Sequence, residues 1–563
     1  VRGKPAPIAF DQIGDTDMPA KSDAMICAAQ PEAAEAGARV LRQGGNAVDA
    51  AMAAALVQGV VDPQMCGIAG FGTAHIYLPK QGVHECIDFH GNTPMSATPE
   101  MWSNLIEGET QDGFGFILKG HVNDLGYQSI TTPGSLLAYH QAISDYGTFD
   151  WADICAPAIK QADNGFIVRP HVDFWWNQGA SYGRVNVGDR LGFSQTGRDA
   201  YFRPDGSIKR TGDHVQIPDM AETLRRIAQG GADIFYHGEI ADQIDADMAA
   251  NGGLMRKSDL ESYELVRGEP MWTTYRGRRI ASNRPPGGGV QLLEMLNILE
   301  NFDLAGIGHN ETEYLRIVSE AMKQATIDKD AHVGDPAFVD VPLDRLLSKD
   351  YATDVAKRIT AREKASVERY QGGMAEPKDT THVVVRDRDG NIVTMTHSLG
   401  MPSGVITDGL GFMYNGCMAV FDPRPGRAGS VAPGKSRFTS LCPSIVFDGD
   451  EPRIALGAPG GTQIAMGVLQ VILNMLDFDM SPVEATAAPR FSSTSNALDI
   501  TNRIPSYATE PLEAEGYQVV RSPLTFAFAA PHAIKIDTDG TLSGGGDPSH
   551  DGVALGVIQG SAA

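Results

Sequence analysis

Thr380-Thr381-His382-Val383-Val384-Val385, then Asp389-Gly390, then Asn391-Ile392-Val393-Thr394-Met395-Thr396-His397-Ser398: these residues read as a β-hairpin. Two runs rich in β-branched residues flank an Asp-Gly pair, the strongest short-range hairpin signal. A two-residue turn pairs Arg388 with Asn391. Carried back along both strands, that register sets Ser398 opposite Thr381 and diagonal to Thr380. Before the hairpin lies a polar stretch, Gly372-Gly373-Met374-Ala375-Glu376-Pro377-Lys378-Asp379. A hydroxyl is a weak nucleophile, but a threonine at a chain terminus carries its own base in the α-amine. The sequence therefore poses a specific question, whether the chain is cut between Asp379 and Thr380. The plainer reading is an edge strand that happens to open on two threonines.

Outward from the hairpin, the chain alternates helical and strand-like blocks. Residues 31–60 are alanine-rich with helical periodicity, broken at Gly44-Gly45-Asn46, which predicts two helices joined at a glycine turn. Residues 72–90 read as strands, and 134–170 and 220–265 as largely helical. Residues 291–301 and 311–331 read as amphipathic helices. The charged, glycine-containing segment 360–379 reads as a mobile surface linker. After the hairpin come strands near 443–448 and 453–457, a helix over 462–477 and a strand near 531–536. No repeat of solenoid length is present. This order suits antiparallel sheets between helical layers.

Composition sets outer limits. The chain has 563 residues, enough for one large α/β unit or two to three ordinary domains. Its 46 basic and 70 acidic residues give a net charge of −24, which argues against nucleic acid or an anionic membrane surface as partner. No apolar run reaches the roughly 20 residues that span a bilayer. Val1-Arg2-Gly3-Lys4-Pro5 lacks an apolar signal core, so a cytoplasmic location is expected, or a periplasmic or secreted one if a signal peptide has been removed. Cysteines 27, 66, 86, 155, 417 and 442 show no metal spacing and are expected to be buried thiols. Neither a metal cluster nor a cofactor fingerprint is legible, so neither is expected.

One motif points elsewhere. Gly429-Ser430-Val431-Ala432-Pro433-Gly434-Lys435-Ser436 fits the phosphate-loop pattern. Such a loop needs a buried strand before it and a helix after it. Asp422-Pro423-Arg424-Pro425-Gly426-Arg427 cannot be a buried strand, and a proline follows at 443. Nucleotide binding is the remote alternative.

Several segments, in order, resemble the γ-glutamyltranspeptidase family of N-terminal-nucleophile hydrolases. They are Leu41-Arg42-Gln43-Gly44-Gly45-Asn46-Ala47-Val48-Asp49-Ala50-Ala51, Gly67-Ile68-Ala69-Gly70-Phe71-Gly72, Thr132-Pro133-Gly134-Ser135 and Pro285-Pro286-Gly287-Gly288-Gly289. Leu296-Asn297-Ile298-Leu299-Glu300-Asn301-Phe302-Asp303, Thr380-Thr381-His382 and Gly457-Ala458-Pro459-Gly460-Gly461 complete the set. The resemblance implies an α+β fold, a four-layer αββα sandwich. It implies self-cleavage into residues 1–379 and 380–563, which stay together as an obligate heterodimer. It further implies hydrolysis or transfer at γ-glutamyl or related amide bonds of a small-molecule substrate, through an acyl-enzyme on Thr380.

The resemblance also assigns roles. Ser398 stands where the family has a second threonine that orients the nucleophile. Gly460 and Gly461 supply the oxyanion hole through their backbone N–H groups. Thr439 and Ser440 stand where a Ser-Ser pair holds the substrate carboxylate, and Asn415 matches an asparagine near the substrate. The departures concern the acyl pocket. His90 occupies the position of the family arginine that grips the α-carboxylate. Ala419 offers no charge for the α-amine, and no acid appears until Asp422. Gly400 replaces an asparagine, and the segment before Thr439 is short for a covering lid. Such changes resemble acylases of cephalosporin side chains and an oxamate amidohydrolase. Arg424, Arg427 and Arg437 are candidates for another anion clamp, although surface solvation is the ordinary expectation for each. A non-catalytic relative that never cleaves itself is the remaining alternative.

Overall fold

Asn46 shows how local chemistry sets the frame. The first helix, Pro31–Arg42 (α1), ends before Gly44, whose φ of 99° an L side chain rarely adopts. Asn46 then accepts from the N–H groups of Val48 and Asp49 at 2.8 and 3.0 Å, and the Asp49 carboxylate accepts from Asn46 N at 2.8 Å. This capping box starts the second helix, Ala47–Val61 (α2). Every residue of α2 is buried, so it carries no polar stripe. The computed structural model describes residues 21–110, 113–178, 184–370 and 380–561.

Thirteen strands build the two main sheets: Ala24–Ala28 (β1), Phe71–Leu78 (β2), Val83–Phe89 (β3), Val266–Gly268 (β4), Met271–Tyr275 (β5), Arg278–Ser282 (β6), Thr381–Arg386 (β7), Ile392–Ser398 (β8), Ser444–Asp448 (β9), Glu451–Gly457 (β10), His532–Ile536 (β11), Leu542–Gly546 (β12) and Val553–Val557 (β13). One sheet has seven strands in the order β13-β1-β7-β8-β2-β3-β4, the other six in the order β12-β11-β10-β9-β6-β5. All neighbours in both are antiparallel.

The period-2 alternation of a strand sorts the hairpin's side chains. Val383, Val385, Val393 and Met395 join the core formed with α1 and α2. Val384 and Ile392 point the other way and meet Ile445, Phe447, Ala455 and Ile534 of the second sheet. Strands β7 and β8 thus touch β10, while α2 lies on β7 and β8 and α1 on β1 and β13. Gly289–Leu299 (α3) lies on β5 and β6, and Ile464–Leu476 (α4) on β10. The fold is of the α+β class. Further helices at Ser135–Tyr146, Trp151–Asn164, Pro218–Gly230, Glu239–Ala250 and Thr312–His332 fall in the blocks read as helical. Among the described residues no helix is long and apolar enough to cross a membrane.

The hairpin register differs by one residue from the sequence expectation. Thr381 pairs with His397 and Arg386 with Ile392, and the loop has three residues, Arg388-Asp389-Gly390, with Gly390 at φ 86°. Asp387 is the cause. Its carboxylate accepts from the N–H groups of Asp389 and Asn391 at 2.9 and 3.0 Å, and from Asn391 Nδ2 at 2.8 Å. It also accepts from Ala47 N at 3.0 Å, pinning the hairpin tip to the start of α2. A type I turn with a left-handed glycine results. Ser398 therefore faces Thr380, not Thr381.

The expected mobile linker is also corrected in its first half. Ala365 N donates to Glu320 at 2.7 Å, Val367 N to Asn496 at 2.8 Å, and Arg369 binds Asp330 and the Thr494 carbonyl, both at 2.6 Å. These contacts anchor residues 361–370. The remainder of the linker, with Asp379, lies outside the described residues, as does the N-terminal stretch from Val1.

Candidate active site

Thr380 is buried at the head of β7, one step beyond the last ladder pair of the hairpin. Its Oγ1 lies 3.0 Å from Ser398 Oγ, which also accepts from Gly400 N at 2.8 Å. Thr380 N donates to the Met65 thioether at 3.3 Å. The cleft at this point is lined by Thr380, Ser398, Arg437, Thr439, Ser440 and Gly461, with Phe71, Phe114 and Phe438 among its walls. Its cavity is small, about 40 Å³.

Gly460 and Gly461 form the turn into α4. Gly460 has φ 138° and Gly461 φ 55°, and a Cβ on Gly460 would lie 2.6 Å from Ala529 Cα. Among the described residues neither N–H is donated to a backbone carbonyl. Both sit at the positive end of a thirteen-residue helix, where N–H groups favour negative charge.

The Thr439-Ser440 loop is held by the Pro285–Gly289 segment: Thr439 N donates to Pro286 O and Gly288 N to Leu441 O, both at 2.9 Å. A Cβ on Gly288 would meet Ser440 O at 2.3 Å, so only glycine lets the two backbones touch. Thr439 Oγ1 accepts from Leu441 N at 3.2 Å, while the buried Ser440 Oγ has no hydrogen-bond partner. Asn415 is employed as a bracket. Its Oδ1 accepts from Thr131 N and Oγ1 and from Cys417 N, and its Nδ2 donates to the carbonyls of Ala69 and Thr131. It is fully buried and does not line the cleft.

His90 does not line this cleft, although its ring centroid lies 6.4 Å from that of Phe71, one of the walls. It lines a larger cleft of about 840 Å³ with Asp88, Arg284, Pro286 and Asp335. That cleft is much larger than the one at Thr380, yet it holds none of the nucleophile's neighbours. Chemistry, not size, identifies the smaller one as the site. Neither ring nitrogen of His90 is hydrogen-bonded, and burial with the nearby Arg437 charge pushes its pKa down to about 3. A neutral imidazole does not replace a guanidinium as an anion clamp.

Sequence reasoning offered Arg437 as a candidate anion clamp, with surface solvation as the ordinary expectation. The structure buries it at 5% exposure, its guanidinium 4.5 Å from the Phe71 ring centroid. Nε donates to Phe438 O at 3.0 Å. A Cβ on Gly400, itself at φ 71°, would come within 3.2 Å of Arg437 Nη1. Glycine at 400 thus makes room for this arginine. Arg424 is different: it forms a fork with Asp422 at 2.8 and 2.7 Å, so that acid is already paired. Arg427 is largely exposed, 3.8 Å from the same acid. In the phosphate-loop-like stretch, Lys435 Nζ is tied to the carbonyls of Ala428 and Ser430 at 2.7 and 3.0 Å, and no helix follows.

Sequence reasoning missed a polar network beneath the nucleophile. Gln58 Nε2, from α2, donates to Thr381 Oγ1 and Gln30 Oε1, both at 3.0 Å. Its Oε1 accepts from His397 Nε2 at 2.8 Å, so His397 Nδ1 takes the Tyr139 O–H at 2.7 Å. Burial pushes the His397 pKa down to about 3, keeping it neutral. The polar residue within an apolar helix, Gln58, was the available signal. Among the described residues no cluster of His, Cys, Asp or Glu could hold a metal ion, and all six cysteines are free and buried.

This geometry agrees with the comparisons to known proteins. The model of the gamma-glutamyltranspeptidase family matches residues 33–557. The chain is 35% identical to an acylase ACY 1 proenzyme from Pseudomonas sp. (strain SE83), covering 99% of this chain and 98% of that protein. It is 31% identical to the glutathione hydrolase proenzyme of Bacillus subtilis (strain 168), covering 98% and 94%. The solved structure of a cephalosporin acylase from Bacillus halodurans superposes with a TM-score of 0.84 at 29% identity, covering 97% of this chain and 99% of that one. With its threonine-headed hairpin and glycine turn in one cleft, the chain belongs to the γ-glutamyltranspeptidase family.

Proposed function

We propose that this protein is a self-cleaving amide hydrolase whose acyl-enzyme forms on Thr380. The observation that carries the reading is the placement of Thr380 Oγ1 3.0 Å from Ser398 Oγ, in one cleft with Gly461. In the precursor, Thr380 Oγ attacks the Asp379 carbonyl. The acyl group shifts from N to O, and water cleaves the ester to give residues 1–379 and 380–563. The freed α-amine then takes the proton from Oγ as it attacks a substrate amide. The N–H groups of Gly460 and Gly461 stabilise the oxyanion, the protonated amine passes its proton to the leaving nitrogen, and water releases the acid. Ser398 aligns Oγ. The two fragments remain a heterodimer because both sheets contain strands from each. The contacts of α1 and α2 with one sheet, and α3 and α4 with the other, support a four-layer αββα arrangement.

Two substrate readings follow from relatives: γ-glutamyl amides, as in glutathione hydrolases, and other acyl amides, as in the acylases. Ala419, Gly400 and the position of His90 favour the second, because a γ-glutamyl head loses the anchors expected of it. The test is intact-mass analysis of the purified protein and a Thr380→Ala variant. Two fragments meeting at Asp379/Thr380, absent in the variant, support the reading. An uncut wild-type chain after long incubation rejects it in favour of a non-catalytic relative.

A further inference from the structure

Asp62 is a fully buried carboxylate that no step above employs. It directly follows α2. Its Oδ2 accepts from Gln30 Nε2 at 2.6 Å, and His171 Nε2 lies 3.5 Å from the same oxygen. Among the described residues its Oδ1 has no hydrogen-bond partner. Burying a carboxylate with one close hydrogen bond is costly, so that bond calls for a physical reason.

Gln30 supplies the reason. It is fully buried before α1 with φ 60°, a backbone state that side-chain-bearing residues seldom adopt. Its side chain caps no N–H of α1 and is turned inward instead. A carboxylate only accepts hydrogen bonds, so Asp62 must meet the Nε2 end of this amide. Gln30 Oε1 therefore faces the other way, where it accepts from Thr381 Oγ1 at 3.1 Å and Gln58 Nε2 at 3.0 Å. Asp62 thus decides which end of the amide meets the residue after the nucleophile. Backbone states of this kind persist where the surroundings over-determine them, and they cluster at functional sites.

The main chain of Asp62 reaches the nucleophile by a second route. Asp62 O accepts from Met65 N at 3.0 Å, closing a turn. That turn sets the Met65 thioether 3.3 Å from Thr380 N. Met65 O in turn accepts at 3.0 Å from the N–H of Leu399, the residue after Ser398. One residue therefore grips the hairpin at three points: Thr381 through Gln30, and Thr380 N and Leu399 through Met65. Thr380 N is the atom that cleavage would turn into the α-amine.

We propose that Asp62 is a positioning residue, which sets the angle at which Thr380 presents its Oγ and its nitrogen. This rests on the amide-hydrolase reading above and adds to it a residue outside the cleft. Asp62 touches neither the substrate nor the reacting atoms, and acts through Gln30 and Met65.

The test exchanges donor and acceptor across the Asp62–Gln30 bond in the full chain. It follows self-cleavage on denaturing gels and turnover of two p-nitroanilides, L-γ-glutamyl and glutaryl, one for each substrate reading. Gln30→Glu sets two acceptors face to face, and Asp62→Leu removes the acceptor. Each is expected to lower kcat by about 30-fold with KM nearly unchanged, and to slow self-cleavage alike. Asp62→Asn keeps an oxygen for Gln30 and should cost less than about 3-fold. The double variant Asp62→Asn/Gln30→Glu restores a donor facing an acceptor, and is expected to recover kcat to within about 3-fold of Asp62→Asn. A double variant no better than Gln30→Glu, or a loss that appears in KM with kcat intact, overturns the inference alone. A wild-type chain that never cuts overturns it together with the amide-hydrolase reading. Should Gln30→Glu fail to fold, Thr381→Val decides, since it keeps the side chain's shape and removes the hydroxyl that Gln30 holds. A fall of about 10-fold in kcat at steady KM supports the assignment, and an unimpaired variant overturns it.

Discussion

Thr380 and Ser398 stand opposite one another across the hairpin, hydroxyl to hydroxyl at 3.0 Å, and Gly400 N fixes the serine from behind at 2.8 Å. The serine is therefore held by backbone before it touches the nucleophile. Ser398→Ala removes the alignment and leaves the fold. The expected outcome is a fall of about 10- to 100-fold in kcat with KM nearly unchanged, and slower self-cleavage. Ser398→Thr should retain most activity. A time course on denaturing gels and anilide kinetics check this, and an unimpaired alanine variant would remove Ser398 from the site.

Gly460→Ala should damage turnover more than stability. Its Cβ would press on Ala529 Cα at 2.6 Å and force the turn to shift. The N–H groups proposed to hold the oxyanion then move, and loss of one such donor costs about 100- to 1000-fold in kcat. Intact substrate affinity with lost kcat is the expected pattern. A proportional loss of folded protein instead would make the glycine purely structural.

Gln58→Leu tests the network under the hairpin. The change leaves His397 Nε2, Thr381 Oγ1 and Gln30 Oε1 each short of a partner. The expected cost is about 2–4 kcal/mol in urea unfolding, with kcat falling and KM steady. Because burial holds the folded His397 pKa near 3, below the usual 6.5, its contribution to stability is lost as pH falls through that window.

Asp88 and His90 make opposed contributions to pH dependence. His90 Nε2 is 3.8 Å from Asp88 Oδ1 in the larger cleft. Burial raises the Asp88 pKa from 3.8 to about 7 and lowers that of His90 from 6.5 to about 3. Between about pH 4 and 6.5 the folded pair holds one proton, on Asp88, and the unfolded pair holds one, on His90. The counts match, so the pair adds no slope. Asp88→Asn leaves the depressed His90, and stability should then rise with pH by up to about 1.4 kcal/mol per unit over that range. His90→Gln leaves the raised Asp88, whose stabilisation is complete below 3.8 and lost as pH rises toward about 7. Opposite slopes in urea titrations at several pH values are expected, and parallel ones would sink the assignment.

The hairpin and the two helices joined at the Gly44-Gly45-Asn46 turn were legible because each is written in neighbouring residues. The one-residue register error came from Asp387, whose fourth bond reaches Ala47, 340 positions away. No turn rule sees that contact. The strands on the outer side of β7 were illegible for the same reason, since its neighbour β1 lies more than 350 residues upstream and β13, which pairs with β1, near residue 555. Arg437 shows the converse failure. Its charge reads as surface, and what buries it is a ring from β2 and an absent side chain at 400. The roles proposed for Thr380, Gly460 and Gly461 could be put forward from the sequence because the family motif is local. The acyl pocket was not, because its walls come from both sides of residue 380.

The strand order carries one more consequence. In the larger sheet β13, β7 and β8 come from after the proposed break, and β1, β2, β3 and β4 from before it, interleaved. In the other sheet β9 meets β6 across the same divide. A cut at this point would remove no ladder bond between them, yet it would change the molecularity of refolding. The uncut chain regains its sheets in a first-order process, whereas two severed pieces must find each other at a rate set by their concentration. Processing would thus leave a dilute enzyme that persists by the slowness of its unfolding, since once apart its pieces are governed by mass action.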